Sequence, residues 1–388
     1  MKPSIKLLSL SLTVMAAHLS TSQSAHAQVT TNDAWQLGAV LDLTVNSKAL
    51  ALGQREKGLA MGHSDLVARG PITKHVDAQF GLAAHRHDGK YETEVEEAWL
   101  QTRSLPAGLQ ARVGRFASQI GYLNEQHPHA DDFVERPLLY RSFLGGHWAD
   151  DGLRMNWTAP TSMYFSIGAE VFRGRKLVQE SDSKANPGAS TLRLKIGDDW
   201  NHSNSWQLGV SYLNNRREAS IEDESEHEDH GHGGHDHAGH DHAHGARLSG
   251  GNMWMADLAW KWAPDGNNRQ QQVRLVGEYA RVNKLNRYAA PSDHHQAVAL
   301  SAVWRFSQAW EVGVRGDWLK ARIPHGDHFH AGNLQEQSLM LAWKPTHTQT
   351  LRLQATSQNK ARGIDDAVAR SVQLQYVISF GAHGAHSF

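Results

Sequence analysis

From Trp35 onward, apolar and polar residues alternate with a period of two. Trp35, Leu37, Ala39, Leu41, Leu43 and Val45 interleave with Gln36, Gly38, Asp42 and Thr44. The pattern returns at Val76/Ala78/Phe80/Leu82/Ala84, Trp206/Leu208/Val210/Tyr212 and Trp254/Ala256/Leu258/Trp260/Trp262, and again at Val298/Leu300/Ala302/Trp304/Phe306 and Val372/Leu374/Tyr376/Ile378/Phe380. Such a period puts apolar side chains on one face of a strand and polar ones on the other, whereas helical i+3 and i+4 partners here are often charged. Sixteen strands are predicted: 35–45, 57–70, 75–87, 91–103, 108–117, 150–159, 162–174, 189–199, 204–214, 252–263, 270–283, 295–306, 309–321, 335–344, 348–359 and 369–380. The stretch 57–70 alternates only weakly.

The connections test this division. With the N-terminus on the periplasmic side, the turns 71–74, 104–107, 160–161, 200–203, 264–269, 307–308 and 345–347 fall on one side, and all are short. The other side takes 46–56, 118–149, 175–188, 215–251, 284–294, 322–334 and 360–368, with only 88–90 short. Short turns on one side and long loops on the other, with an even strand number, describe an outer-membrane-type barrel. Trp157, Trp262, Trp304, Trp310, Trp318 and Trp343 lie near strand ends, as interfacial girdles do. The fold class expected is therefore all-β, a transmembrane antiparallel β-barrel of about sixteen strands with long extracellular loops.

Composition sharpens that picture. Lys2, Lys6, the apolar run Leu7 to Ala17 and Ala25-His26-Ala27 read as a signal peptide over 1–27, leaving 28–388 as the barrel. No later stretch approaches the apolar length of a helical span. There is no cysteine, so thiolate metal sites are excluded. A formal net charge of −1 argues against nucleic acid as partner. Outer-membrane lipid, the barrel assembly machinery reading either Tyr376-x-Ile378-x-Phe380 or the terminal Phe388, and by analogy a homotrimer are the expected partners.

Ile221 to His244 reads IEDESEHEDHGHGGHDHAGHDHAH, with eight histidines and eight carboxylates. After Ile221 it has no large apolar residue to bury. Imidazole and carboxylate are ligands for zinc, copper or nickel, and the irregular spacing suits exchangeable rather than structural binding. The candidate ligands are His227, His230, His232, His235, Asp236, His237, His240, Asp241, His242 and His244. His325, Asp327, His328 and His330 in the 322–334 connection are candidates to complete a site with them. Solvated low-complexity sequence and hydrated turn histidines are the plainer readings. The 118–149 connection follows the fifth strand, the position from which sixteen-stranded porins fold a loop into the lumen. It offers His127, His129, Asp131, Asp132, Glu135 and Arg136 as constriction residues, or as ordinary polar contacts to the wall.

The stretches REKGLAMGHSDL, VEEAWLQTRSLPAGLQARVGRF and NEQHPHADDFVERP, with the tail GAHGAHSF, resemble a group of Gram-negative outer-membrane barrels distantly similar to phosphate-selective and carbohydrate porins. Members often carry a histidine-rich loop and are associated with zinc acquisition. Some relatives are labelled TonB-dependent receptors, but this chain has no room for a plug domain and a twenty-two-stranded barrel. The resemblance implies passage of zinc, or of a related divalent metal, across the outer membrane, with the metal as an exchangeable ligand and no fixed cofactor. The alternative is a general or anion- or carbohydrate-selective porin with an accessory metal-binding loop. A surface metal buffer is a third reading. No G-x-S-x-G or H-E-x-x-H is present and the histidines concentrate in repetitive sequence, so an enzyme is not expected.

Overall fold

A computed structural model describes residues 34–381, except 88, 104, 179–180, 182, 220–245, 326, 365–366 and 368. The predicted signal peptide and the candidate ligands from His227 to His244 lie outside the described residues, as does the side chain of His325.

The alternating stretches form one closed antiparallel sheet. Its strands are β1 (Gln36–Asn46), β2 in two pieces (Gly58–Met61 and Ser64–Thr73), β3 (Val76–His87), β4 (Lys90–Thr102), β5 (Leu109–Ala117), β6 (Ala149–Thr158), β7 (Tyr164–Phe172) and β8 (Ala189–Asn201). There follow β9 (Asn204–Asn215), β10 (Asn252–Trp262), β11 (Gln272–Asn283), β12 (His294–Ser307), β13 (Trp310–His325), β14 (His328–Thr346), β15 (Gln349–Arg362) and β16 (Ser371–Gly381). Each strand pairs with its sequence neighbour, and β1 closes on β16 from Gly38↔Gly381 to Asn46↔Gln373. Both pieces of β2 pair with β1, so the segments make sixteen staves.

The outward face is apolar. Leu258, Leu300, Val314, Leu339 and Leu353 are each about half exposed, as a lipid-facing band requires. The lumen face is polar yet buried, including Asp42, Glu170, Asp257, Glu311, Asp317 and Glu336. No helix among the described residues is long and apolar enough to cross a membrane.

What covers the lumen face is chiefly the segment 118–148, which folds inward after β5. It carries one short helix, α1 (Leu138–Phe143), every residue of which is buried. Main-chain and side-chain hydrogen bonds tie it around the wall. Gln119 N donates to Glu170 on β7 (3.1 Å), Gly121 N to Ser211 on β9 (3.3 Å), and Tyr122 N to Glu278 on β11 (3.1 Å). Leu138 N reaches Asp317 on β13 (3.2 Å), Arg141 pairs with Glu336 on β14 (2.6 Å), and Val134 N donates to Gln354 on β15 (2.8 Å). An apolar core fills the extracellular half of the lumen around Phe116, Ile120, Leu139, Tyr140, Phe143 and Trp148. The first external connection also turns inward: Gln358 on β15 accepts from Ala51 N and donates to Ala51 O.

Two predicted elements are corrected. The 322–334 connection is not a loop. β13 and β14 continue as a tall hairpin whose register runs to His325↔His328. Above the membrane both faces of a hairpin meet water, so no apolar alternation marks it in the sequence. The single strand predicted at 57–70 is broken at Gly62–His63, and its register on β1 slips by one residue between Leu43↔Met61 and Val40↔Asp65. Leu59 and Leu66 therefore both face outward although seven positions apart, which is why the alternation there reads as weak.

Candidate metal centre

The break in β2 is one of two β-bulges that build a site. At the first, Gly62 N donates to Asp42 O (2.8 Å) and Ser64 Oγ accepts from Asp42 N (3.0 Å), which ties the bulge to β1. A Cβ on Gly62 would collide with the Arg55–Asp42 ion pair, so a larger residue there would have to displace that pair. His63 and Asp65 follow on the lumen side. At the second, the β3–β4 register shifts between Gly81↔Glu97 and Leu82↔Val95, leaving Glu96 extra. Consecutive strand residues normally face opposite ways, but here Glu96 and Glu97 are both buried, 6% and 7% exposed.

The inward segment brings His127, His129 and His147 to these carboxylates. His63 Nε2 stands 3.0 Å from Asp65 Oδ1 and 2.9 Å from Glu96 Oε2. His127 Nδ1 lies 3.0 Å from Asp65 Oδ2 and 3.3 Å from Glu96 Oε2. His129 Nδ1 is 3.1 Å from Asp65 Oδ2, and His147 Nδ1 is 2.6 Å from Glu96 Oε1. One ligand atom from each of His63, Asp65, Glu96 and His127 falls within 4.8 Å of the others. Among the described residues this is the only such group.

Both Asp65 oxygens, His127 Nδ1 and His129 Nδ1 are buried without a partner in hydrogen-bonding geometry, although all stand at ion-pair distance. Buried polar atoms are rarely left so, and an ion is one of the standard reasons. Donor atoms about 2.1 Å from a tetrahedral zinc stand about 3.4 Å apart, close to the spacings seen here. The donor set, imidazole nitrogen with carboxylate oxygen and no sulfur, suits borderline divalent ions.

With no metal, protons must balance the carboxylates. Burial alone would lower the His127 value, but Glu96 and Asp65 outweigh it and hold His127 well above the usual imidazole range. Burial pushes His147 down, against the pull of Glu96. A metal entering the cluster therefore displaces protons.

The cluster borders a cavity of about 470 Å³ whose lining includes His63, Glu96, His147, Arg55 and Arg136. Its lining also includes Ala219, Ala246 and Arg247, which flank residues 220–245 on both sides.

The other sequence candidates are placed as follows. Asp131 pairs with Arg136 (2.8 Å), Asp132 with Arg274 on β11, and Glu135 accepts from the main-chain N–H of Gln54 (3.2 Å) and Arg55 (3.1 Å). These four anchor the inward segment, while His127 and His129 meet the wall carboxylates. His328 and His330 sit on β14 with ring centroids 5.0 Å apart, and exposed His328 is 3.1 Å from Asp327. They are not part of the lumen cluster. Sequence reasoning missed His63, Asp65, Glu96 and His147. The weak alternation at 57–70 and the adjacent acids of EVEEAW were the available signals.

No family model matches the chain. A protein of Aquifex aeolicus (strain VF5), described as uncharacterized, is 27% identical over 358 residues, covering 86% of this chain and 71% of that protein. Among solved structures, Pseudomonas putida OprB aligns with a TM-score of 0.55 at 11% identity, over 89% of this chain and 94% of that one. The anion-selective porin of Comamonas acidovorans aligns at 0.53 and 12% identity, over 90% and 99%. An OmpT loop-deletion mutant of Vibrio cholerae aligns at 0.54 and 8% identity, over 89% and 99%. At these identities the likeness is one of fold: the chain is a sixteen-stranded barrel of porin type.

Proposed function

We propose that this chain is an outer-membrane channel admitting divalent transition-metal ions, zinc foremost, to the periplasm. The histidine-rich stretch collects the metal and the lumen cluster selects it. The observation that carries this reading is the group His63, Asp65, Glu96 and His127, set against a cavity whose lining includes both flanks of that stretch. Rings of acidic side chains favour cations in channels generally, and imidazoles add preference for zinc over magnesium or calcium. Outer-membrane residence follows from the lipid-facing band and the porin-type fold. A trimer is in keeping with the trimer form described for Vibrio cholerae OmpT.

The second reading, an anion-selective porin, draws on Arg69 and Arg112. Both guanidiniums lie over the Trp99 ring, at 5.5 and 4.3 Å, on the periplasmic side of the cluster. Zinc entry into proteoliposomes holding a zinc-sensitive dye separates the two. The wild type is expected to admit zinc at a rate that saturates, and His63→Ala with His127→Ala to slow it. Equal zinc entry in both proteins, together with a reversal potential favouring chloride, would establish the anion reading instead.

A further inference from the structure

The cluster holds more donors than one ion can take. Four imidazoles, His63, His127, His129 and His147, converge on the carboxylates Asp65 and Glu96, and Glu97 Oε2 stands 3.7 Å from His127 Nε2. A tetrahedral zinc uses four ligands. The tightest quartet leaves His129 and His147 over, and they attach to different carboxylates.

Those carboxylates divide their oxygens. Glu96 turns Oε1 to His147 and Oε2 to His63 and His127. Asp65 turns Oδ1 to His63 and Oδ2 to His127 and His129. The division matches the lining of the cavity. His147, Glu96 and His63 line the cavity, whereas Asp65, His127 and His129 do not. On the cavity side His147 Nε2 is buried with no partner, and on the inner side the buried Asp65 oxygens and His129 Nδ1 face only one another and the neighbouring imidazoles.

We infer that the cluster is two adjacent metal positions rather than one. The cavity-side position is made by His147, Glu96 and His63, and the inner position by Asp65, His127 and His129 with Glu97 beside them. The inference rests on the metal-channel reading and supplies what that reading needs. One deep four-ligand site would hold its ion and block passage, whereas conduction calls for several sites from which an ion can leave. Shared carboxylates let an ion move by changing one ligand at a time. Asp65, Glu96 and Glu97 together offset most, but not all, of the charge of two dications. A second ion arriving on the cavity side therefore repels the first toward the periplasm.

The test is anomalous scattering at the zinc edge from crystals of the full chain, soaked in graded zinc. Two peaks are expected, one beside His147 and Glu96 and one beside Asp65 and His129. His147→Ala should erase the first alone, and His129→Ala the second alone. Retained heat-modifiable migration of each variant on gels establishes that its barrel is intact. A single peak shared by His63, Asp65, Glu96 and His127, or loss of all density in either variant, overturns the two-position arrangement, whether or not zinc crosses the membrane. Two peaks in a barrel that admits no zinc into proteoliposomes would uphold the positions and overturn the channel reading.

Discussion

Replacing Asp65 by Asn keeps the shape of a side chain only 4% exposed while removing its charge. Asp65 lies within 3.1 Å of three imidazole nitrogens, those of His63, His127 and His129. Complete four-ligand zinc sites are worth about 10–16 kcal/mol, or about 2.5–4 per ligand. Asn retains a weakly coordinating oxygen, so a figure near the lower end, about 2.8 kcal/mol, applies. A loss of about 2.8 kcal/mol is a 100-fold weaker Kd. Titration of the detergent-solubilised full-length protein against a competing chelator should resolve a tight class of sites and a weaker class from the histidine-rich stretch. In Asp65→Asn only the tight class should weaken. Unfolding gives an independent measure. At zinc 100 times the wild-type Kd, binding stabilises the folded protein by about 2.7 kcal/mol, falling to about 0.4 kcal/mol in the variant. The quantity to compare is the increment that zinc adds over chelator, because the substitution also alters the metal-free cluster. An unchanged tight class, or equal zinc increments in the two proteins, would refute the assignment of Asp65 as a ligand.

Three further outcomes follow from other parts of the barrel. Leu258→Lys puts a charge at the middle of β10 on the lipid face and should cost about 2–4 kcal/mol in urea unfolding from vesicles, with zinc binding unchanged. Phe116→Ala empties a fully buried position against Phe172, ring centroids 5.2 Å apart, and should cost about 3–5 kcal/mol by the same assay. Deleting 222–244 should remove the weak class of zinc sites and raise the zinc concentration needed for half-maximal uptake, leaving the tight class intact; loss of the tight class would place the cluster's ligands in that stretch instead.

The barrel was legible because lipid and lumen impose opposite demands on successive residues, and that demand is written locally. Strand number and the side carrying long connections follow from it, whereas the inward segment was offered only as a candidate by analogy with sixteen-stranded porins. The hairpin of β13 and β14 was hidden where the demand lapses, above the membrane. The candidate metal centre was hidden for a different reason. Its bulges break the local rule on which strand reading depends. Read as a regular strand, Glu96 and Glu97 point to opposite faces, and His63 and Asp65 fall in the stretch of weakest alternation. The inward segment then brings residues 127 and 147 to residues 63 and 96, which no local spacing could announce. The histidine-rich stretch, by contrast, was conspicuous through composition alone.

The partners of the lumen carboxylates give a reason to place the proposed exchange at this corner. Asp42 faces Arg55 at 2.7 Å, Glu170 faces Arg154 at 2.7 Å, and Asp317 faces Arg315 at 2.7 Å. Glu311 faces Arg305 at 2.6 Å, and Glu336 faces Arg141 at 2.6 Å. A guanidinium stays charged throughout the physiological range, so no cation can take its place by displacing a proton. Several of these pairs also fasten the inward segment to the wall, which argues against its swinging aside to let an ion by. Asp65 and Glu96 differ: among the described residues their ion pairs are with histidines alone. An imidazole can lose its proton and then serve as a ligand. In the proposed channel, whose inward segment is fastened, an ion would therefore pass by exchange of ligands at a cluster where buried acids are met by groups able to give up their protons.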